Sequence, residues 1–296
     1  MEFSRLTLDK FETLKPYFTD NQCRICDYTI GGTFMWRDYH KTEYAIQDGV
    51  LYLKIAYPSL AFAPPRVEGS GTVDAIDAYE NIIEYCALHK IAAQICSVSA
   101  SVLEDIQAMY PGAKSQTDRA WSDYLYSGDD ILTLAGRKYS GQRNHINRFE
   151  REHPVWSFES VTNENIGGVL DFFRKYSQEH VKDYPAYTEG NIKAIEVLEN
   201  WDLYGQSGGV LYVGGEVAGA SIGETVGDTI YIHVEKASSE INGSYPVLMK
   251  QFANMYVADP IKFINREEDD GVEGLRVSKM SYHPLSILDK YFVYLP

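Results

Sequence analysis

The sequence contains no long apolar run and no recognisable export signal. None of its 296 residues lies in a stretch approaching the roughly 18 apolar residues of a transmembrane helix. The N-terminal segment MEFSRLTLDKFETLKPYF lacks the basic start and apolar run of a signal peptide. We therefore expect a cytoplasmic protein with no integral membrane association.

Basic residues are scarce. The chain has 27 of them against 42 acidic residues, which gives a formal net charge of −15. A negative field of this size repels polyanions at long range, so we expect no binding to genomic nucleic acid. A local basic patch would still be sufficient to hold one phosphorylated ligand.

Cysteine is also rare, at four residues: Cys23, Cys26, Cys86 and Cys96. Cys23 and Cys26 have the C-x-x-C spacing of zinc and redox sites, but no second Cys or His pair follows at finger-like distance. Reduced structural thiols are the favoured interpretation and a metal or redox site is the alternative. We predict no metal.

Strand and helix patterns alternate along the chain, which predicts an α/β (α+β) protein. Asp48-Gly49 between two β-rich runs indicates a hairpin, and apolar spacing predicts a helix over 72–89. The length favours two domains. We place them at residues 1–135 and 136–296, with a basic helix at 137–152 at the junction.

From residue 156 onward the predicted order is strand, helix, hairpin, strand, loop, helix, strand, helix and a final strand at 290–295. Two motifs accompany this order: NREEDDGVEGLRVSKMSYHP from Asn265 to Pro284, and RKYxxxRNxIxxF from Arg137 to Phe149. With them the chain resembles a bacterial family related to the C-terminal domain of phosphatidylglycerol lysyltransferases. It is similar, more distantly, to the Fem peptidoglycan aminoacyltransferases.

That resemblance implies two tandem lobes of the GNAT acyltransferase type, each a mixed central sheet flanked by helices. It also implies an acyl-CoA or aminoacyl-tRNA donor and no permanently bound cofactor. In such lobes the loop after the fourth strand holds the donor's pyrophosphate at a helix N-terminus. The matching residues here are Asn242, Gly243 and Ser244. Acetyl-CoA-dependent members carry two close glycines in this loop, whereas this chain has one.

The acidic run from Glu267 to Asp270 follows a short predicted strand, where the cleft of this fold opens. Clustered carboxylates raise one another's pKa, so Glu267 or Asp269 would serve as a general base. A solvated acidic turn that caps the next helix is the alternative. Arg276 and Lys279 follow on one helical face, where they would neutralise the carboxylates or hold a substrate anion.

Tyr231, His233 and Glu235 share one face of the predicted fourth strand of the second lobe, because side chains alternate along a strand. His233 and Glu235 are candidates to orient or deprotonate an acceptor amine. A satisfied buried histidine is the alternative. Tyr282 is a candidate proton donor to the leaving group.

The basic segment supplies the remaining candidates: Arg137, Lys138, Arg143 and Arg148. They would bind a phosphate-bearing donor. In the alternative interpretation, their apolar stems pack along the surface of a polar helix between the lobes and their charged ends face solvent.

The leading hypothesis is transfer of an acyl or aminoacyl group to an amine or hydroxyl of a small-molecule, lipid-headgroup or peptide acceptor. Direct attack is expected because no serine or cysteine lies in a nucleophile-elbow pattern. A catalytically inactive ligand-binding protein of the same fold is the first alternative. A metal-dependent hydrolase is the second.

Overall fold

The computed structural model describes residues 1–19, 23–69, 71–72, 76–179 and 185–296. Within these ranges the chain forms two compact units. The first contains Met1–Asp123, Glu268–Glu273 and Ile287–Pro296, and the second contains Tyr124–Glu267 and Gly274–Ser286. No helix in the described ranges is both long and apolar enough to cross a membrane.

The α-helices of the described residues are α1 (Phe11–Leu14), α2 (Ile30–Trp36), α3 (Ile76–His89), α4 (Ala100–Met109), α5 (Gly128–Thr133), α6 (Ser140–Glu152), α7 (Ile166–Glu179), α8 (Pro185–Glu199), α9 (Trp201–Tyr204), α10 (Ser244–Tyr256) and α11 (Glu273–Met280). The strands are β1 (Ser4–Arg5), β2 (Glu43–Gln47), β3 (Val50–Ile55), β4 (Ala61–Phe62), β5 (Arg66–Val67), β6 (Gly71–Thr72), β7 (Gln94–Val98), β8 (Lys114–Thr117), β9 (Asp123–Ser127), β10 (Trp156–Ser160), β11 (Ser207–Val213), β12 (Glu216–Val226), β13 (Thr229–Ala237), β14 (Phe263–Asn265), β15 (Ser286–Leu288) and β16 (Tyr291–Tyr294). The helix predicted over 72–89 begins later, at Ile76; Thr72 is in β6, and positions 73–75 lie outside the described residues.

The sheet of the first unit has the strand order β1-β2-β3-β4-β7-β16-β8, with β5 paired to β3 and β6 paired to β5. The β4–β7 pair is parallel. Helix α3 buries Tyr79, Ile82 and Cys86 in a core shared with Phe62 and Ile95. Apolar spacing predicts this helix, although Ile76 at its start is exposed.

Strand β16, from the end of the chain, lies inside the sheet of the first unit. It pairs antiparallel with β7 on one side and with β8 on the other. Its Val293 is completely buried in the same core as Ile95 and Val98. The expected division at residue 135, with every later residue in a second lobe, therefore differs from the observed units. An aromatic strand pattern predicts a strand but does not specify which sheet completes its hydrogen bonds.

The second sheet has the strand order β10-β11-β12-β13-β14-β9-β15. Its central strands β12 and β13 are antiparallel, whereas β13 and β14 are parallel. The parallel ladder is short, because it joins only Thr229–Tyr231 to Phe263–Asn265. Strand β13 continues to Ala237 after β14 has ended.

The predicted basic helix over 137–152 is preceded by a break in the helical backbone. Helix α5 ends at Thr133, and Leu134 (φ 46°) and Gly136 (φ 83°) adopt positive φ angles. A residue in that region cannot continue a right-handed helix. A short 3₁₀ turn, Arg137–Tyr139, then leads into α6. The whole segment belongs to the second unit.

Candidate active site

Polar side chains collect where β13 and β14 cease to pair. His233 and Glu235 lie on β13 beyond the end of the ladder at Tyr231, and Arg266 and Glu267 directly follow β14. The two side chains on β13 each contact one of the two residues that follow β14: His233 contacts Glu267, and Glu235 contacts Arg266. All four belong to the second unit. We call these four residues the strand-end cluster.

A β-bulge sets the direction of His233. Ile222 pairs with Val234 and Gly223 pairs with Ile232, so His233 is the extra residue on β13. Gly223 is needed there because a Cβ atom at that position would overlap the Tyr231 carbonyl oxygen. Bulges of this kind redirect a side chain from its regular alternation.

Two glutamates hold the imidazole of His233. Its Nδ1 lies 2.7 Å from Oε1 of Glu267, and its Nε2 lies 3.3 Å from Oε2 of Glu224 on β12. The side chain of His233 is 1% exposed. Burial alone lowers the pKa of His233, but the hydrogen bonds and charges of the two glutamates raise it to about 10. At neutral pH the ring is an imidazolium, and both nitrogens donate.

The backbone around Glu267 is fixed by its neighbours. Glu267 has a φ of 57°, and its N–H donates to Oδ1 of Asn265 at 2.6 Å. The Tyr124 N–H donates to the Glu267 carbonyl at 3.3 Å. The Lys279 ammonium donates to the carbonyls of Arg266 (2.5 Å) and Glu267 (3.3 Å). The Glu267 carboxylate, which is 17% exposed, thus projects from a well-defined turn.

The second pair of the strand-end cluster is also largely buried. Arg266 Nη2 lies 2.8 Å from Oε1 of Glu235, and the two side chains are 10% and 8% exposed. The guanidinium packs over the ring of Tyr282, 5.1 Å from its centre. Burial lowers the pKa of Arg266, but Glu235 more than compensates and raises it. Burial also raises the pKa of Tyr282, so its phenol remains protonated at neutral pH.

The four acidic residues of the predicted run do not form one cluster. Glu267 contacts His233, whereas Glu268 contacts Lys290 in the first unit. The Asp269 carboxylate is completely buried, accepts the Gly271 N–H at 2.8 Å and lies 3.7 Å from Arg119. Positive φ angles at Glu267 and Asp270 turn successive side chains in different directions. The structure therefore brings Glu267, but not Asp269, into the strand-end cluster.

The loop before α10 contains Asn242, Gly243 and Ser244. Gly243 has a φ of 86°, and a Cβ atom there would lie 2.6 Å from the His145 carbonyl oxygen of α6. Close packing of α10 against α6 thus accounts for this glycine. Asn242 is exposed, and the buried Ser244 hydroxyl donates to the Ser238 carbonyl at 3.2 Å.

The basic candidates make local contacts. Arg143 Nη1 donates to the carbonyls of Leu134 and Gly136 and so satisfies the end of α5. Lys138 pairs with Asp130 at 2.9 Å, and Arg148 pairs with Glu152 at 2.8 Å one helical turn away.

The other candidates of this charge type are Arg137 and Arg276. Arg137 is exposed on the 3₁₀ turn before α6, and Arg276 is half-buried on α11. Lys279, also on α11, uses its ammonium to bind the backbone carbonyls described above.

The first unit contains a buried polar cluster that the sequence patterns did not predict. The Lys290 ammonium lies 2.6 Å from Asp27, 2.8 Å from Asp123, 3.2 Å from Glu268 and 3.2 Å from the Cys26 sulfur. We call these residues the Lys290 cluster. Cys26, Asp123 and Glu268 have the donor atoms of a metal site and lie within 4.8 Å of one another, but the Lys290 ammonium contacts all three.

Charge in the Lys290 cluster is unevenly distributed. Burial alone raises the pKa of Asp27, but Lys290 lowers it to about 2. Burial raises the pKa of Asp123 to about 7 despite the attraction of Lys290. Burial and the neighbouring carboxylates raise the pKa of Cys26 well above its usual value, so this residue is an unreactive thiol. Cys23, Cys26, Cys86 and Cys96 are not joined in disulfide bonds.

Two residues that hold His233 and Glu235, namely Glu224 and Arg266, were also missed. Arg266 lies within the motif quoted above and Glu224 lies on a predicted strand. Neither had a periodic or spacing signal that singled it out.

The chain is similar to a protein of Mycoplasmoides gallisepticum, strain R(low / passage 15 / clone 2), with 22% identity over 211 residues. The match covers 64% of this chain and 66% of that protein, so the chain spans just under two thirds of the relative's length. A conserved protein of Bacteroides thetaiotaomicron VPI-5482 has a solved structure with a TM-score of 0.88 and 31% identity, covering 100% of both chains.

The fold extends to more distant proteins. L-PGS from Bacillus licheniformis has a TM-score of 0.67 at 13% identity, with 98% of this chain and 92% of that chain covered. FemX has a TM-score of 0.50 at 11% identity, with 100% and 98% covered. These likenesses confirm the predicted fold class of two mixed α/β lobes. Residues 21–294 match the family formed by the C-terminal region of phosphatidylglycerol lysyltransferases. The chain belongs to this family.

Proposed function

We propose that this protein is an acyl- or aminoacyl-transferase that moves its group to an amine or hydroxyl by direct attack. Membership of the lysyltransferase family and the shared fold support this reaction class. The observation that carries the proposal is the Glu267 carboxylate, fixed by His233 where β13 and β14 cease to pair. A positioned, partly exposed carboxylate just beyond the end of the parallel ladder suits a general base.

In the proposed reaction Glu267 accepts the proton of the attacking nitrogen or oxygen. The acceptor atom bonds to the donor's carbonyl carbon, and the bond from that carbon to the leaving sulfur or oxygen breaks. Backbone N–H groups of β13 beyond Tyr231 polarise the carbonyl oxygen. Tyr282 supplies the proton to the leaving group, and Arg266 and Glu235 hold Tyr282 in place.

The start of α10 favours aminoacyl-tRNA over coenzyme A as the donor. A helix N-terminus binds pyrophosphate through N–H groups that have no helical partner. Here the Ser244 N–H already donates to the Ile241 carbonyl at 3.3 Å, and Pro246 has no N–H. Exposed Arg137 and Asn242 remain accessible to a phosphate of the donor.

The acceptor in this proposal is a small molecule, a lipid headgroup or a peptide with a primary amine or hydroxyl. The family's name, a lysyltransferase of phosphatidylglycerol, supports a lipid headgroup as the first acceptor to test.

The test is a transfer assay with purified protein. The donors are radiolabelled aminoacyl-tRNAs in one reaction and radiolabelled acyl-CoAs in another. The acceptors are phosphatidylglycerol dispersed in detergent, amino acids, and short peptides. We expect label to move from aminoacyl-tRNA to one acceptor class. Glu267→Gln should lower kcat by about 10²- to 10⁴-fold, which is the range for loss of a general base. Glu216→Gln, an exposed change at the start of β12, is the matched control.

The outcomes separate the alternatives. Equal activity in wild type and Glu267→Gln would remove Glu267 from the mechanism. Transfer from acyl-CoA alone would assign the other donor. Thermal stabilisation by a donor without any transfer would indicate the inactive ligand-binding protein; a ligand at 100 times its Kd stabilises by about 2.7 kcal/mol, which is measurable.

A further inference from the structure

Glu224 is the second partner of His233, and nothing in the reaction above uses it. It lies on β12 opposite Tyr231. Its Oε2 faces Nε2 of His233 at 3.3 Å and also accepts from Nε2 of Gln206 at 3.4 Å. Gln206 immediately precedes β11. A continuous polar chain therefore runs from Gln206 through Glu224 and His233 to Glu267.

His233 is the most buried member of this polar chain, and Glu267 is the most exposed. Gln206 is 8% exposed, and the side chains of Glu224, His233 and Glu267 are 11%, 1% and 17% exposed. The ring of His233 is therefore closed to a ligand, and both of its nitrogens already have carboxylate partners. His233 can act on a reacting group only through Glu267.

The two carboxylates have complementary effects on the ring. A buried imidazole with one carboxylate partner would be stable as a neutral tautomer, since burial penalises its charged form. A neutral ring that kept its proton on Nε2 would turn an unprotonated Nδ1 toward Glu267, and the two lone pairs would repel. A second carboxylate at Nε2 holds the second proton, so that Nδ1–H always points at Glu267.

The consequence for Glu267 is one fixed orientation. His233 donates to Oε1 only, and within the described residues Oε2 accepts no hydrogen bond. A donor on Oε1 therefore leaves Oε2 as the oxygen that meets an incoming N–H or O–H. Placement of a base to within less than 1 Å matters, because an error of that size costs about 100-fold in rate.

We propose that Glu224, supported by Gln206, is a positioning residue that keeps both nitrogens of His233 protonated and thereby orients Glu267 toward the acceptor. This role rests on the proposed function, in which Glu267 is the base. Glu224 does not contact the substrate, the donor or the reacting atoms. Its effect passes through two hydrogen bonds.

The first measurement needs no substrate. ¹⁵N-labelled histidine in the whole protein reports the protonation of each ring nitrogen by NMR, and His233→Gln assigns the signal. At pH 7.5 we expect both nitrogens of His233 to be protonated in wild type and in the control Glu216→Gln. In Glu224→Gln the ring should become neutral with one protonated nitrogen.

The second measurement is kinetic. Glu224→Gln should lower kcat by about 100-fold with KM changed less than twofold, and Glu224→Asp should recover part of the loss. Gln206→Met, a change of similar volume that removes the donor to Glu224, should have a smaller effect in the same direction. A role in stability alone would not alter kcat once the variant is folded.

The results also distinguish the two proposals. A doubly protonated His233 in Glu224→Gln, or an unchanged kcat in that variant, overturns the positioning role whatever the reaction is. A second outcome combines loss of one ring proton in Glu224→Gln with full activity in Glu267→Gln. Glu224 would then control the protonation of His233, but Glu267 would not be the base. Both proposals would be wrong in that case. If Glu224→Gln does not fold, the same NMR and kinetic comparison is made with Glu224→Asp and Gln206→Met, where no change in either measurement overturns the inference.

Discussion

Nδ1 of His233 lies 2.7 Å from Oε1 of Glu267, although the strands that carry them pair only as far as Tyr231 and Asn265. The ion pair thus links the two segments just beyond the last paired residues. A charged pair there is stable because Glu224 contacts the other ring nitrogen of His233. The geometry of the proposed base therefore depends on electrostatics rather than on regular strand pairing.

Stability should depend on the proton held by His233. The pKa of this residue is about 10 in the folded protein and about 6.5 in an unfolded chain. Its contribution is therefore complete below pH 6.5 and is lost as the pH rises toward 10. Between pH 6 and pH 10.5, the difference in unfolding free energy between wild type and His233→Gln should shrink by about 3–5 kcal/mol.

Urea denaturation at a series of pH values measures this difference. His145→Gln, which changes an exposed histidine of α6, is the matched control. A difference for His233→Gln that is constant with pH would contradict the assignment of a charged ring.

Removal of the ammonium from the Lys290 cluster should destabilise the first unit. Lys290→Met leaves Asp27, Asp123 and Glu268 without their shared cation in a buried site. Breaking a buried ion pair on one side costs about 3–5 kcal/mol. Lys114→Met, on the exposed strand β8, should change the free energy of unfolding by less than about 0.5 kcal/mol. Similar losses in the two variants, measured by denaturant titration, would show that the cluster is not a source of stability.

A comparison of Gly243 with Gly215 separates two costs of replacing glycine by alanine: backbone strain at a positive φ angle and steric overlap of the added Cβ atom. Both have positive φ angles, 86° and 89°, but only at Gly243 would a Cβ atom meet the backbone of α6, whereas Gly215 has open space. Gly215→Ala should cost about 1 kcal/mol from strain alone, and Gly243→Ala should cost at least about 2 kcal/mol more. If both alanines have the same effect on thermal unfolding, α10 does not depend on this close packing.

Replacement of Arg143 and of Arg148 by alanine should lower the free energy of unfolding by different amounts. The double replacement tests whether the segment binds the donor. Arg143→Ala removes the donor to the end of α5 and should cost about 1–2 kcal/mol. Arg148→Ala removes an exposed pair and should cost less than about 0.5 kcal/mol. If the segment binds a phosphorylated donor, the double variant should weaken tRNA binding and reduce its dependence on salt. Unchanged tRNA affinity at two salt concentrations would exclude the segment from the donor site.

Local patterns in the sequence predicted local structure well. The Asp48-Gly49 turn joins β2 to β3 as expected, with positive φ at both residues. Strand alternation identified His233 and Glu235, and the acidic run identified Glu267, which are three of the four residues of the strand-end cluster. These signals depend on neighbours within a few positions, and such information is present in the sequence itself.

The long-range partners were not predictable in this way. Glu267 meets His233 across 34 positions, and Cys26 meets Lys290 across 264. No spacing rule relates residues so far apart, because the sheet order decides which side chains meet. The bulge at His233 is also invisible to a strict period of two, since it inserts one residue into that period.

Strand β16 lies between β7 and β8, one strand in from the edge of its sheet. During synthesis β7 and β8 leave the ribosome more than 170 residues before their common neighbour. Until β16 is synthesised, the edges of β7 and β8 that will pair with it have unpaired backbone groups, which attract other strands. Synthesis of β16 is therefore the step that allows the first sheet to close, and a ribosome stalled before it would leave the sheet exposed to aggregation.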